Sequence, residues 1–273
     1  MNFLAAMIES LCGLLFVPLA NYPATALTIS AAILGVIFAL LYGKISPQRS
    51  LKNVKRGIAA QFLRVFVFRR DLKTMLSAQV TLLWGGVKYL LVTVPPIAVL
   101  VFPMLIILSE MNLWLGYRPL RPGENALVEV QLAQSQLRAA TGLSLTGSDV
   151  AKISAPVRQG KLGLASWLVS AADKTELKIN SSQIAAKFPI ISSSSEESLQ
   201  RIVPSFSNQF WSNFFTPRGS AASTVPESVE LISIEMPVRE FNLLGWHTSW
   251  LAPFFVLTIL FGYLAARIAK IEV

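Results

Sequence analysis

One lysine abuts a twenty-residue stretch that carries no charge. Lys88 is followed by Tyr89 to Leu108 (YLLVTVPPIAVLVFPMLIIL). An ammonium at the centre of a bilayer costs at least ~2.5 kcal/mol, so a lysine in this position either snorkels to the interface or faces a wet groove where it can meet polar parts of another chain. The apolar run crosses a hydrocarbon core unaided, which puts Lys88 near an edge. A second charged feature is a basic cluster. Arg49, Lys52, Lys55, Arg56, Arg64, Arg69, Arg70 and Lys73, preceded by Lys44, stand against the single acid Asp71 between Lys44 and Val80. Such a cluster attracts anionic headgroups or docks a partner.

Catalytic chemistry finds few candidates. His247 lies where an apolar run begins and reads as an interfacial anchor, and Glu227, Glu230, Glu235 and Glu240 share one strand region without evident pairing. The only histidine and the only cysteine, Cys12, leave no histidine cluster, no internal disulfide and no cysteine-based zinc site. There is no Gly-rich phosphate loop and no metal-ligand spacing. The expectation is a non-enzyme with no catalytic residue, no metal and no other cofactor.

The elements that carry these residues follow from composition. Of 273 residues 53% are hydrophobic and 14% are charged, against a usual ~25% charged, and the mean hydropathy is +0.55. Three long apolar runs stand out: Pro23 to Tyr42, Tyr89 to Leu108 and Trp250 to Ala266, none with a charged residue. At about 1.5 Å rise per residue the first two match a ~30 Å core, and the third reaches it with His247 to Ser249 added. Trp84, Tyr89, Trp114, Tyr117, Trp246 and Trp250 cluster near the ends of the second and third runs, where amphipathic rings favour the headgroup layer.

The formal net charge is +9, yet from Ser109 to His247 basic and acidic residues number twelve each. The excess is concentrated in the short segment from Lys44 to Val80. Lysine and arginine in short loops are retained on the cytoplasmic side, so the basic loop and the carboxyl tail are expected inside a cell inner membrane, with the amino terminus and the long neutral segment outside. Topology explains the charge, and no nucleic-acid partner is expected. The apolar stretch Asn2 to Leu19 has no Lys or Arg before it. It reads as an interfacial helix on the outer surface, broken by Pro18 and Asn21-Tyr22-Pro23, with a cleaved signal as the other reading.

Inside the basic loop, Ser46-Pro47 reads as an N-cap with proline at the first helical position. Leu51, Val54, Ile58, Phe62 and Val65 or Phe66 then recur at helical steps, with Lys52, Lys55, Arg56 and Arg64 on the other face. Leu72 to Thr81 continues as a second helix into the second span, so the loop is a helical hairpin. Its Phe62, Phe66 and Phe68 exceed what it can bury, so it is expected on lipid headgroups or a partner. Pro95, Pro96 and Pro103 are expected to kink the second span.

Between Gly116 and Gly245 strand-like stretches appear at Ala126 to Ala133, Leu137 to Leu145, Val150 to Val157, Leu162 to Ala171, Thr175 to Ile179, Ile184 to Ile190 and Ser228 to Glu235. They suggest an immunoglobulin-like β-sandwich. Ser192 to Glu197 reads as a polar loop, Asn208 to Phe215 as an aromatic helix or turn touching the membrane, and Asn180-Ser181-Ser182 as a glycosylation triplet common by chance. The expected fold is therefore a membrane protein, α plus β. Its parts are an interfacial helix (1–22), span 1 (23–43), a basic cytoplasmic hairpin (44–81), span 2 (82–110), an extracytoplasmic β-sandwich (111–246), span 3 (247–267) and a tail (268–273).

This order of spans, the basic cytoplasmic hairpin and the positive residue near the inner end of the second span resemble the three-helix core of the YidC/Oxa insertase superfamily over roughly residues 23–110 and 248–270. The resemblance implies a groove, open to cytoplasm and lipid, that eases polar parts of a client into the bilayer. Lys88 would be its charge, and Arg49 to Lys73 would meet client or ribosome. Gly116-Tyr117-Arg118-Pro119-Leu120-Arg121-Pro122-Gly123-Glu124, and Gly245-Trp246-His247 ahead of Trp250, resemble segments of uncharacterised bacterial inner-membrane proteins with the same three-span plan. Two functions are expected in consequence. One is a non-enzymatic, membrane-anchored interaction or scaffold protein whose periplasmic β-domain meets a protein partner while the hairpin meets lipid. The other is a YidC/Oxa-like insertase or chaperone with a Lys88 groove.

Overall fold

The computed structural model describes residues 2–67, 72–133, 143–147, 152–160, 163–170, 175–180, 185–190, 198–207, 229–243 and 245–271. Expectations for Phe68, Arg69, Arg70 and Asp71, for the loop at 192–197 and for the aromatic stretch at 208–215 lie outside these residues. So does part of the glycosylation triplet.

Five helices are described: α1 (Asn2–Phe16), α2 (Pro23–Ile45), α3 (Gln48–Val67), α4 (Leu72–Leu115) and α5 (Leu251–Ile268). The segments Pro23–Ile45, Met75–Leu115 and Leu251–Ile268 are long and apolar enough to cross a membrane, the pattern of a multi-pass membrane protein. Helix α4 runs unbroken over 44 residues with Pro95, Pro96 and Pro103 inside it. At 1.5 Å per residue it is about 66 Å long, roughly twice a hydrocarbon core. The Thr93 hydroxyl donates to the Tyr89 carbonyl just ahead of the proline pair.

The chain divides into two compact units. The first comprises Met1–Leu27 and Leu105–Pro253, the second Thr28–Met104 and Phe254–Val273.

The first unit is built on β-strands. A six-stranded antiparallel sheet holds β1 (Asn125–Leu132), β3 (Lys152–Ile153), β4 (Val157–Gln159), β5 (Leu164–Ser170), β8 (Ser205–Ser207) and β9 (Val229–Ile234). Its order is β3-β5-β1-β9-β8, with β4 also pairing β5. In β1 the residues Ala126, Val128, Val130 and Leu132 are buried and their neighbours less so, the two-residue period of a half-buried strand. Val128 pairs with Trp167 on β5 and Ile234 on β9, and these side chains form the core with Phe206 and Ile232. A second sheet joins β2 (Ser144–Gly147), β6 (Thr175–Asn180) and β7 (Ala185–Ile190) in the order β2-β6-β7, and Leu145 of β2 reaches the same core.

A two-stranded hairpin, β10 (Phe241–Leu243) and β11 (Trp246–Thr248), completes the described strands. It changes the expected start of the third span. Residues 246–248 are strand, and α5 begins at Leu251. The cause is local: Gly245 takes φ +91°, favourable only for glycine, and its N–H donates to Asn242 Oδ1 at 2.8 Å. This closes a turn before the helix can start.

In the second unit α2 and α5 meet at glycines. A Cβ on Gly35 would stand 2.6 Å from the Thr258 carbonyl oxygen and 3.0 Å from the Gly262 nitrogen. The backbones can approach this closely only because neither glycine has a side chain. Helix α3 runs back along α4, with Ile58 against Gly85 and Lys55 Nζ 6.0 Å from the centre of the Tyr89 ring.

The cap expected at Ser46 is not made. The Ser46 N–H still donates to Tyr42 O as the last turn of α2, and the Leu51 N–H donates to Pro47 O as the first bond of α3. Proline is therefore the residue at the helix boundary. The Ser46 hydroxyl is buried with no hydrogen-bond partner among the described residues.

Candidate functional site

The basic residues of the hairpin are placed by α3 and the start of α4. Arg49, Lys52, Arg56, Arg64 and Lys73 are exposed, and Lys55 is half-buried against Tyr89. Leu51 is fully buried, Val54 and Ile58 are half-buried, and Phe62, Leu63 and Val67 remain open, as do Leu76, Val80, Leu83 and Trp84 on α4. The hairpin thus carries cations beside an uncovered apolar surface.

Lys88 is exposed. It borders a recess of about 310 Å³ between α3 and α4, whose walls include Asn53, Gly57, Gln61, Thr81 and Trp84. The lysine therefore looks onto a partly polar groove of the hairpin.

A second cluster ties the helix ends of the first unit to the β-domain. Glu110, near the end of α4, accepts from Arg201 Nε at 2.6 Å through Oε1 and from Nη2 at 3.2 Å through Oε2. Its side chain is 2% exposed and that of Arg201 12%. Glu9 of α1 stands 3.9 Å from the same guanidinium. Both partners need this arrangement, because a buried unpaired charge is costly. The Cys12 thiol, one helical turn on from Glu9, is pushed up to about 12 by burial and the nearby Glu110 charge, with Arg201 acting in the opposite sense.

Backbone bonds reinforce the tie. The Ile202 N–H donates to Leu113 O at 2.8 Å and the Leu199 N–H to Ala20 O at 2.6 Å. Arg239, buried, donates from Nη2 to Ser198 O at 2.9 Å. Trp114 stacks on Phe16 at 5.5 Å between ring centres, and Trp250 Nε1 donates to Asn112 Oδ1 at 3.0 Å. Both indoles are buried in this joint. They do not serve as the headgroup anchors the sequence suggested, because each ring has a protein partner.

The segment from Gly116 to Glu124 is also structural. Arg121, Pro122, Gly123 and Glu124 form a turn in which the Glu124 N–H donates to Arg121 O at 2.9 Å and Gly123 takes φ +85°. Proline followed by glycine suits a type II turn. The turn presents Glu124 to Arg118, whose Nη1 and Nη2 donate to its two carboxylate oxygens at 2.8 Å each. This two-pronged contact, helped by the Arg121 N–H, holds the Glu124 carboxyl down to about 2.

His247 Nδ1 lies 3.6 Å from Glu240 Oε2 with both side chains 70% exposed, an open surface pair on the β10–β11 hairpin. Among the described residues no group of three or more His, Cys, Asp or Glu is placed to hold a metal ion.

Glu110 and Arg201 are not marked as a pair by the sequence. The signal was there in half: Glu110 is the first charged residue after the second apolar run, and a charge at that place calls for a partner. Which of many later cations answers it is fixed only by the fold. Comparisons with protein-family models, with curated proteins and with solved structures found no match to this chain.

Proposed function

We propose that the protein is a non-enzymatic, membrane-anchored scaffold that presents its β-domain to a protein partner on the outer side of a cell inner membrane. One observation carries the reading. The end of α4 and the segment after α1 are bonded into the β-domain through Glu110–Arg201, Leu113–Ile202 and Ala20–Leu199, and Asn112–Trp250 ties the end of α4 to the residue before α5. These bonds gather the end of α4, the segment after α1 and the β-strands into one compact unit, and a preformed surface is what a scaffold presents to a partner. The domain is taken as an immunoglobulin-like sandwich whose layers are the six- and three-stranded sheets. The distribution of Lys and Arg supports an outside amino terminus, a periplasmic β-domain and a cytoplasmic carboxyl tail. On the inner side, the hairpin cations from Arg49 to Lys73 meet anionic headgroups.

Cysteine mapping tests this. In a Cys12→Ser background, Val157→Cys should react with an impermeant maleimide from outside the cell and Lys52→Cys only after permeabilisation. A photo-crosslinker at 157 should then trap a discrete protein. Labelling of position 157 only from the cell interior removes the proposal, as does the absence of any crosslinked protein.

A second reading is a YidC/Oxa-like insertase or chaperone, favoured by the groove beside Lys88 with Asn53, Gln61 and Thr81 in its walls. Under that reading, depleting the protein slows insertion of pulse-labelled small membrane clients, and Lys88→Leu fails to restore it. Unchanged insertion on depletion leaves the scaffold.

A further inference from the structure

The far ends of α2 and α5 carry a trough that neither the β-domain nor the hairpin uses. Val36, Leu40, Phe261, Leu264, Ala265 and Ile268 line an apolar recess of about 440 Å³. A second, of about 360 Å³, is lined by Leu41, Gly43, Lys44 and Ile271. Leu40 and Ala269 border both, so the two recesses adjoin. From Val36 to Lys44 the trough follows about 12 Å of helix, close to the ~15 Å half-thickness of a hydrocarbon core.

Its rim is cationic. Lys44 is exposed and lines the upper recess, and Arg267 and Lys270 are exposed at the end of α5. The turn that ends α5 is built to hold this rim in place. The Ile271 N–H donates back to Ala266 O at 2.9 Å, and Lys270 takes φ +55°, a conformation usually left to glycine. Ile271 then folds over Gly43, where a Cβ would stand 2.6 Å from Ile271 Cδ1. A lysine in that backbone conformation is unfavourable for the turn alone, and it stands between Ala269 and Ile271, which both line the trough.

We propose that this trough is a binding site for one anionic phospholipid of the cytoplasmic leaflet, its acyl chain along Leu40, Phe261 and Ala265 and its phosphate at Lys44 and Lys270. The occupant follows from the apolar lining in a span that faces lipid and from cations confined to one end. A partner's transmembrane helix would fit the lining but gives no use to the cationic rim. The proposal rests on α2 and α5 crossing the membrane, takes its leaflet from the proposed inside carboxyl tail, and does not depend on what the β-domain binds.

The test uses the full chain in detergent micelles, titrated with dioleoylphosphatidylglycerol or dioleoylphosphatidylcholine and read by native mass spectrometry. One phosphatidylglycerol should be retained in preference to phosphatidylcholine. Lys44→Gln and Lys270→Gly should each weaken it by about fivefold. Lys270→Gly should leave the melting temperature unchanged or higher, since glycine relaxes the turn. Ala269→Phe should displace the lipid by filling the trough. Equal retention of the two lipids overturns the proposal, and so does unaltered phosphatidylglycerol binding by Ala269→Phe. The assay is blind to which side the β-domain occupies, so failure here is separable from failure of the scaffold reading.

Discussion

Arg201 Nε donates to Glu110 Oε1 at 2.6 Å across 91 positions of sequence, and both groups are nearly sealed from solvent. Removing one member strands the other charge, which typically costs about 3–5 kcal/mol, whereas replacing both by apolar groups of similar shape is close to neutral. Arg201→Met should therefore lower the unfolding midpoint of the purified protein sharply, and Glu110→Leu/Arg201→Met should recover most of the loss. Chemical denaturation in mild detergent measures both. A double variant as unstable as the single one would mean that the pair holds the joint by more than mutual neutralisation.

The crossing of α2 and α5 makes a second prediction. Gly35 faces backbone atoms of Thr258 and Gly262, while Gly43 faces side-chain atoms of Ile271. Overpacking against a backbone that cannot yield costs about 1–3 kcal/mol, and a side chain that can swing aside costs less. Gly35→Ala should thus lower the melting temperature in detergent clearly, and Gly43→Ala should barely move it.

What the sequence disclosed and what it withheld divide along physical lines. Spans are local: a run such as Pro23 to Tyr42 excludes charge over the width of a bilayer, and α2 (Pro23–Ile45) covers it. Alternating strands are local too: β5 and β9 fall within stretches of visible period two, and β1 is offset by one residue from its own. Strands of three residues carry too few positions for a period, so β8, β10 and β11 escaped notice. Ser46 shows a subtler failure, because its backbone was still committed to the preceding helix when the cap motif assigned it to the next. The Glu110–Arg201 pair and the Gly35–Gly262 crossing depend on pairings over long separations, about which spacing says nothing.

The Arg118–Glu124 contact predicts a pH dependence of definite sign. Its carboxyl is held at about 2 in the fold, below the ~4.3 of a free glutamate. The ionised form is the one the fold favours, so the contact stabilises fully above about pH 4.3 and is lost as pH falls toward 2. Both side chains are partly exposed, so the effect is local and salt-sensitive. A carboxyl-carbon NMR titration of Glu124 should show a midpoint near 2 that returns toward the ordinary range in Arg118→Met. An unmoved midpoint in that variant would assign the shift to the Arg121 N–H instead.

Cys12 offers a reporter of the joint between α1 and the β-domain. The thiol is buried, and burial with the Glu110 charge pushes it up to about 12. The thiolate is the nucleophile, so at pH 8 only about one part in ten thousand of the group is reactive, even before access is considered. The folded protein should resist maleimide for hours in mild detergent and react within minutes once unfolded in sodium dodecyl sulfate. Arg201→Met, by releasing Glu110 and Glu9 from their shared cation, should loosen α1 and speed labelling of the folded protein, because opening exposes Cys12 and removes its desolvation. Rapid labelling of the wild-type protein would show that α1 does not stay packed through the stacking of its Phe16 on Trp114. Fast labelling in Arg201→Met without a lower unfolding midpoint would show that α1 opens separately from the rest of the first unit.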